Sequence, residues 1–127
     1  MILVKFIRNN IDTKFLFIHL DDIDEIGHIY KYRSHEYNLK LKITDNYLLE
    51  IINAINETWK NPLIIITTDH GGINNTHGKS SKEEVKVFIC SNYKLELEKY
   101  KYEKNKCVFK IVLNSLNINI PDYFDWK

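Results

Sequence analysis

The chain has 127 residues, 44% of them hydrophobic and 28% charged. That is the size and balance of a single soluble domain spanning 1–127, and it excludes an ordinary barrel enzyme or a two-domain design. Lys and Arg number 18 against 17 Asp and Glu, so the net charge is +1, without the basic excess or basic patch of a dedicated nucleic-acid binder.

Two cysteines, Cys90 and Cys107, are too few for a disulfide framework and fit reduced thiols. Residues 1–8 are interrupted by Lys5 and Arg8 and lack a secretory cleavage pattern. No apolar run approaches the ~20 residues of a membrane span. A cytoplasmic location is the default expectation.

In chain order, residues 14–20 (KFLFIHL) are almost wholly apolar and predict a strand. Asp21, Asp22, Asp24 and Glu25 follow at once, then Gly27 and His28. Ser34 is placed to cap a helix beginning near His35, with Glu36 in its first turn. Tyr37, Leu41, Leu48, Ile51, Ile52, Ile55 and Trp59 recur at three- and four-residue steps, giving that helix one apolar face. Asn61-Pro62 ends it. Residues 63–67 (LIIIT) read as a strand buried on both faces of a parallel sheet. A polar loop follows with Asp69, His70, Gly71, Gly72, Asn74, Asn75, Thr76, His77 and Gly78. Residues 84–90 alternate Val85, Val87 and Ile89 and predict another strand, with Cys90 in the core. Residues 94–106 read as a charged surface excursion, 108–116 as a short helix, and 118–127 as an irregular tail packing Phe124 or Trp126 on the body. His19 is expected in the core or at a sheet edge, and His35 on a helix surface.

Strands alternating with helices predict an α/β fold with a mainly parallel sheet. Both polar clusters would then follow strands and face one sheet edge, where ligands bind in such folds. Four carboxylates in five residues repel one another, and a dication relieves that. Asp24 and His28 are four apart, one helical turn, and so share a face. Asp69 and His70 stand together at a strand end, and Gly71-Gly72 lets the chain turn closely there. Oxygen and nitrogen donors without thiolates suit zinc or manganese. Singly, His28 or His77 is as ordinary as any loop histidine, and Asp21 and Asp22 read better as solvated or capping groups. Asp-x-x-Gly-His after one apolar segment and Asp-His-Gly-Gly with His-Gly after another form a joint metal-site pattern.

These segments resemble the alkaline phosphatase superfamily, in its type I phosphodiesterase/nucleotide pyrophosphatase branch. "FLFIHLDDIDEIGH" is similar to the family's strand and Asp-x-x-Gly-His. "LIIITTDHGGINNTHGKSSKEEVKVFI" is similar to its Asp-His-Gly segment, its His-Gly and its exit strand. "IVLNSLNINIPDYF" resembles its closing helix and tail more weakly. The resemblance implies part of an alkaline-phosphatase-like three-layer sandwich. It implies Asp24, His28 and His77 on one metal and Asp69 and His70 on a second, zinc in both, acting on phosphate esters. It matches the family's C-terminal half, so the family's Thr or Ser nucleophile has no counterpart here. Lys31 stands where family members tend to carry Gly.

The implied function is a metal-dependent phosphodiester or nucleotide pyrophosphate hydrolase, active when completed by a separate N-terminal half or a second copy. The alternative is a non-catalytic zinc-binding or interaction protein on a reduced fold. A third reading is a one-metal hydrolase using zinc-bound water.

Overall fold

The computed structural model describes residues 1–95 and 106–120. The chain runs α1 (Ile2–Asn9), α2 (Asp22–Tyr30), α3 (His35–Thr58), β1 (Ile65–Thr67), α4 (Lys82–Val85), β2 (Ile89–Ser91) and α5 (Lys106–Ser115).

The organising element is α3. It starts where a cap is available: the Ser34 hydroxyl accepts the Tyr37 backbone N–H at 3.1 Å, satisfying a donor that the first helical turn cannot pair. Ile51, Ala54 and Ile55, at three- and four-residue steps, are buried. Both α1 and α2 pack along α3.

The α1 helix is a finding that the sequence reading did not anticipate. Lys5 and Arg8 interrupt the apolar run in sequence, but Leu3, Val4 and Ile7 recur at helical spacing and meet the α3 core. Ile7 is fully buried, which contributes about 1.5–3 kcal/mol of apolar transfer. Arg8 pairs with Glu57 at 2.8 Å, and the Trp59 indole donates to the Asn10 carbonyl at 3.0 Å.

The expected strand at 14–20 does not form. Leu16 and Ile18 pack on the core cluster while Phe15 and Phe17 are exposed. The burial alternates as it would in a strand, but residues 14–20 join no strand ladder among the described residues. His19 is exposed rather than in the core; His35 is exposed as expected.

The mainly parallel sheet is also not what is seen. Among the described residues the sheet has two strands, β1 and β2, antiparallel, with Ile65 opposite Ser91, Ile66 opposite Cys90 and Thr67 opposite Ile89. A parallel return needs a crossover connection, usually a full helix. Here the connection holds only the one-turn α4, and the chain doubles back. The architecture is thus mixed α and β, with no three-layer sandwich among the described residues.

The predicted strand at 84–90 begins as α4 and becomes β2 only at Ile89. Ser81 and Glu84 carry the sequence form of a capping box. The Glu84 carboxylate reaches back to the Ser81 hydroxyl at 2.5 Å and the Ser81 N–H at 3.3 Å. That local bonding overrides the Val85/Val87/Ile89 alternation. Cys90 is exposed, not buried; with Ile52, Ile64 and Ile66 it lines an open groove of about 220 Å³ beside α3. Cys107 is buried, and the two cysteines are not joined in a disulfide. The predicted helix at 108–116 appears as α5. The Tyr-rich stretch from 96 to 105 and the tail from 121 onward, with Phe124 and Trp126, lie outside the described residues. No helix among the described residues is long and apolar enough to cross a membrane.

Candidate metal centre

The site is built from two segments: α2 with the turn after it, and the loop between β1 and α4. Asp21 opens α2 through its backbone carbonyl, which accepts the N–H groups of Asp24 and Glu25 at 2.9 and 3.2 Å, while its side chain makes no cap hydrogen bond. Asp22 pairs with Lys40 of α3, and that carboxylate holds the Lys40 ammonium above the usual lysine range. Asp22 is thus engaged at the surface with Lys40, and the Asp21 carboxylate does not cap the helix. Asp24 and His28 lie one turn apart, with His28 Nε2 3.3 Å from Asp24 Oδ2.

Hydrogen bonds clamp the second segment onto the first. The Tyr32 N–H donates to the Asn74 carbonyl at 2.7 Å. The Asn75 side-chain amide donates to the His28 carbonyl at 2.8 Å. His28 Nδ1 lies 2.8 Å from the Asn75 carbonyl, which turns Nε2 toward Asp24. On the far side, the Gly71 N–H donates to the Glu84 carbonyl at 2.8 Å. A side chain at Gly71 would run into the Glu83 carbonyl, so only glycine lets the loop lie this close to α4. Glu84 is 2% exposed. The Ser81 hydroxyl, helped by the N–H groups of Lys79 and Ser81, holds its carboxyl below the usual carboxylate range.

The clamp brings three candidates to one point. Asp24, His70 and His77 each offer a ligand atom, and these atoms lie within 4.8 Å of one another. His70 Nε2 and His77 Nε2 are each 3.9 Å from Asp24 Oδ1. The two imidazoles stack at 3.7 Å between centroids, and His28 stands 5.0 Å from His77. His70 Nδ1 lies 3.0 Å from the Gly71 carbonyl, again leaving Nε2 for the site. Asp69 lies at the margin: its side chain is exposed, with Oδ2 3.5 Å from His70 Nε2, and it falls outside the group of three.

His70 stands near both carboxylates, its Nε2 3.5 Å from Asp69 Oδ2 and 3.9 Å from Asp24 Oδ1, and so adjoins the group of Asp24 and His77 as well as Asp69. The donor set suits a divalent ion. Imidazoles whose Nδ1 is engaged by a backbone carbonyl are oriented as metal ligands are, and one carboxylate offsets part of the ion's charge.

One residue escaped the sequence reading. The Tyr32 hydroxyl donates to Asp24 Oδ1. Its ring sits edge-on to His28 at 5.8 Å and beside Tyr37 at 5.6 Å. Burial, then this bond and the Asp24 charge, push the Tyr32 phenol well above its usual range; burial and Asp24 raise Tyr37 too. The available signal was Lys31, the non-glycine at a family glycine position: it takes φ 79°, ψ 140°, a conformation that glycine adopts far more readily. Arg33, on the other side of Tyr32, is at φ 67°.

No curated protein and no solved structure matches the chain. The sequence profile of one family does, the type I phosphodiesterase / nucleotide pyrophosphatase family, over residues 3–113. That span takes in α1, both motif segments and most of α5, and with it the chain belongs to the type I phosphodiesterase/nucleotide pyrophosphatase family, a branch of the alkaline phosphatase superfamily.

Proposed function

We propose that the chain is a metal-dependent member of this hydrolase family, acting on phosphodiesters or nucleotide pyrophosphates. Asp24, His28, His70 and His77 would hold divalent metal, zinc by donor chemistry, with Asp69 at the edge of the site. The single observation that carries the reading is the convergence of Asp24, His70 and His77 from two distant segments onto one point. When bound, such an ion supplies Lewis-acid polarisation of phosphoryl oxygens and a lowered pKa for water.

The protein's own part is positional. The carbonyls of Asn75 and Gly71 keep the His28 and His70 Nε2 atoms turned inward. The Asp24 carboxylate faces all three imidazoles and balances charge. None of the ligand candidates is a Ser or Thr, so the family's covalent step is completed in this reading by a complementing half that brings the nucleophile and a further Asp. A second copy is the other candidate for that role. Co-expression with an N-terminal half of a type I phosphodiesterase should give zinc-dependent hydrolysis of an aryl phosphodiester, abolished by His77→Ala. Halves that fail to associate at micromolar concentration would overturn the complementation reading.

A second reading is a non-catalytic zinc-binding or interaction protein. The position of Asp69, exposed at the margin and outside the group of three, favours it, because a second ion would need that carboxylate. It predicts zinc-dependent thermal stability with no turnover in any pairing.

A further inference from the structure

We infer that Tyr32 is a positioning residue for the Asp24 carboxylate: its hydroxyl fixes one carboxylate oxygen so that the remaining lone pairs face the metal site. The inference deepens the proposed metal reading and rests on it.

Three observations carry it. First, the phenol donates to Asp24 Oδ1, the same oxygen that lies 3.9 Å from both His70 and His77 Nε2. An ionised carboxylate oxygen accepts at two sites, so one site can take the phenol while the other faces the imidazoles. Asp24 Oδ2 is meanwhile turned to His28. Second, the ring is wedged between the two motif segments. A Cβ added at Gly27 would come 2.8 Å from Tyr32 Cε1, and one added at Gly72 would also strike the ring. Gly27 belongs to Asp-x-x-Gly-His and Gly72 to Asp-His-Gly-Gly, so the tyrosine fills the space that both glycines leave. Third, the chain adopts two costly backbone conformations on either side of it, Lys31 at φ 79° and Arg33 at φ 67°, each a conformation that costs of order 1–3 kcal/mol for a non-glycine residue. The Tyr32 N–H is tied to the Asn74 carbonyl at 2.7 Å, so the ring's entry is fixed from the backbone as well.

A ring that only filled space would need no hydroxyl. Partners of this kind typically contribute 10–100-fold to metal affinity. The test is zinc titration of the metal-free full chain against a chromophoric chelator, with Tyr32→Phe and Tyr32→Leu beside the parent. Phe keeps the wedge and removes the donor. Its zinc affinity should fall 10–100-fold with an apo melting temperature within a few degrees of the parent. Cobalt(II) bound in place of zinc should show altered visible bands in Tyr32→Phe, a change in ligand field that loss of packing alone would not produce while the ring remains. Tyr32→Leu should lose affinity and apo stability together. Parent-like zinc affinity and cobalt bands in Tyr32→Phe would overturn the positioning role and leave the metal reading standing. A parent chain that binds no zinc would overturn both.

Discussion

Gly27→Ala is a change whose sign the structure decides. Gly27 is buried inside α2. In an ordinary helix interior, replacing Gly by Ala stabilises by about 0.5–1 kcal/mol, because glycine loses more backbone freedom on folding. Here the new methyl would sit 2.8, 2.9 and 3.0 Å from three atoms of the Tyr32 ring, against ~3.5–4.0 Å for a relaxed carbon contact. The ring must retreat by about 0.7 Å or more. Gly72 closes its other side, the Asn74 carbonyl holds its backbone, and its hydroxyl is bound to Asp24. Overpacking of this kind costs about 1–3 kcal/mol. Losing the Tyr32–Asp24 bond adds about 1 kcal/mol, taken at the modest net value because Asp24 is partly exposed. Set against the helix gain, the net is a loss of about 2 kcal/mol. With a urea slope of about 2 kcal/mol per molar, the unfolding midpoint should fall by about 1 M. The control is the same substitution in a Tyr32→Ala background, where the obstacle is gone and Gly27→Ala should become stabilising by about 0.5–1 kcal/mol. A Gly27→Ala chain as stable as the parent, or no reversal of sign in the double variant, would refute the wedge.

Three further outcomes follow from particular contacts. Lys31→Gly should stabilise by about 1 kcal/mol, since the release of about 1–3 kcal/mol of backbone strain exceeds the roughly 0.4–1 kcal/mol of added unfolded-state freedom; a lower urea midpoint would contradict the strained φ. Ile7→Ala should cost about 2–5 kcal/mol by emptying the fully buried contact between α1 and α3; near-neutral unfolding would mean that α1 does not dock. Glu84 has a depressed folded-state pKa, so its contribution is complete above the ordinary carboxylate value near ~4.3 and is lost as pH falls through the folded value. Glu84→Gln should flatten that part of the acid limb of a stability–pH curve, and an unchanged limb would remove Glu84 as its source.

What the sequence discloses depends on whether the signal is local. The α3 helix is legible because its period, its Ser34 cap and its Asn61-Pro62 stop all lie within one stretch of chain. The strands at 65–67 and 89–91 are legible as apolar runs, but their direction is not. Pairing is a choice between distant segments, and the short α4 connection selects the antiparallel return. Residues 14–20 show the limit most directly, since a strand needs a ladder partner that no local pattern supplies. At the site, Asp24, His28, Asp69, His70 and His77 stand out as ligand types in motif spacing. Their partition does not, because it is set by how closely α2 approaches the loop after β1. Tyr32, Asn74 and Asn75 fix that approach, and nothing in their residue types marks them as part of a metal site.

The measurement that bears most directly on the central claim is zinc binding by the metal-free chain, with His70→Ala and His77→Ala as companions. The account predicts about one tightly held zinc per chain, a melting temperature that rises with zinc because binding favours the folded state, and marked loss of affinity in both variants. A chain that retains no zinc, or a His70→Ala variant that binds as tightly as the parent, would contradict the convergence of Asp24, His70 and His77 on one ion.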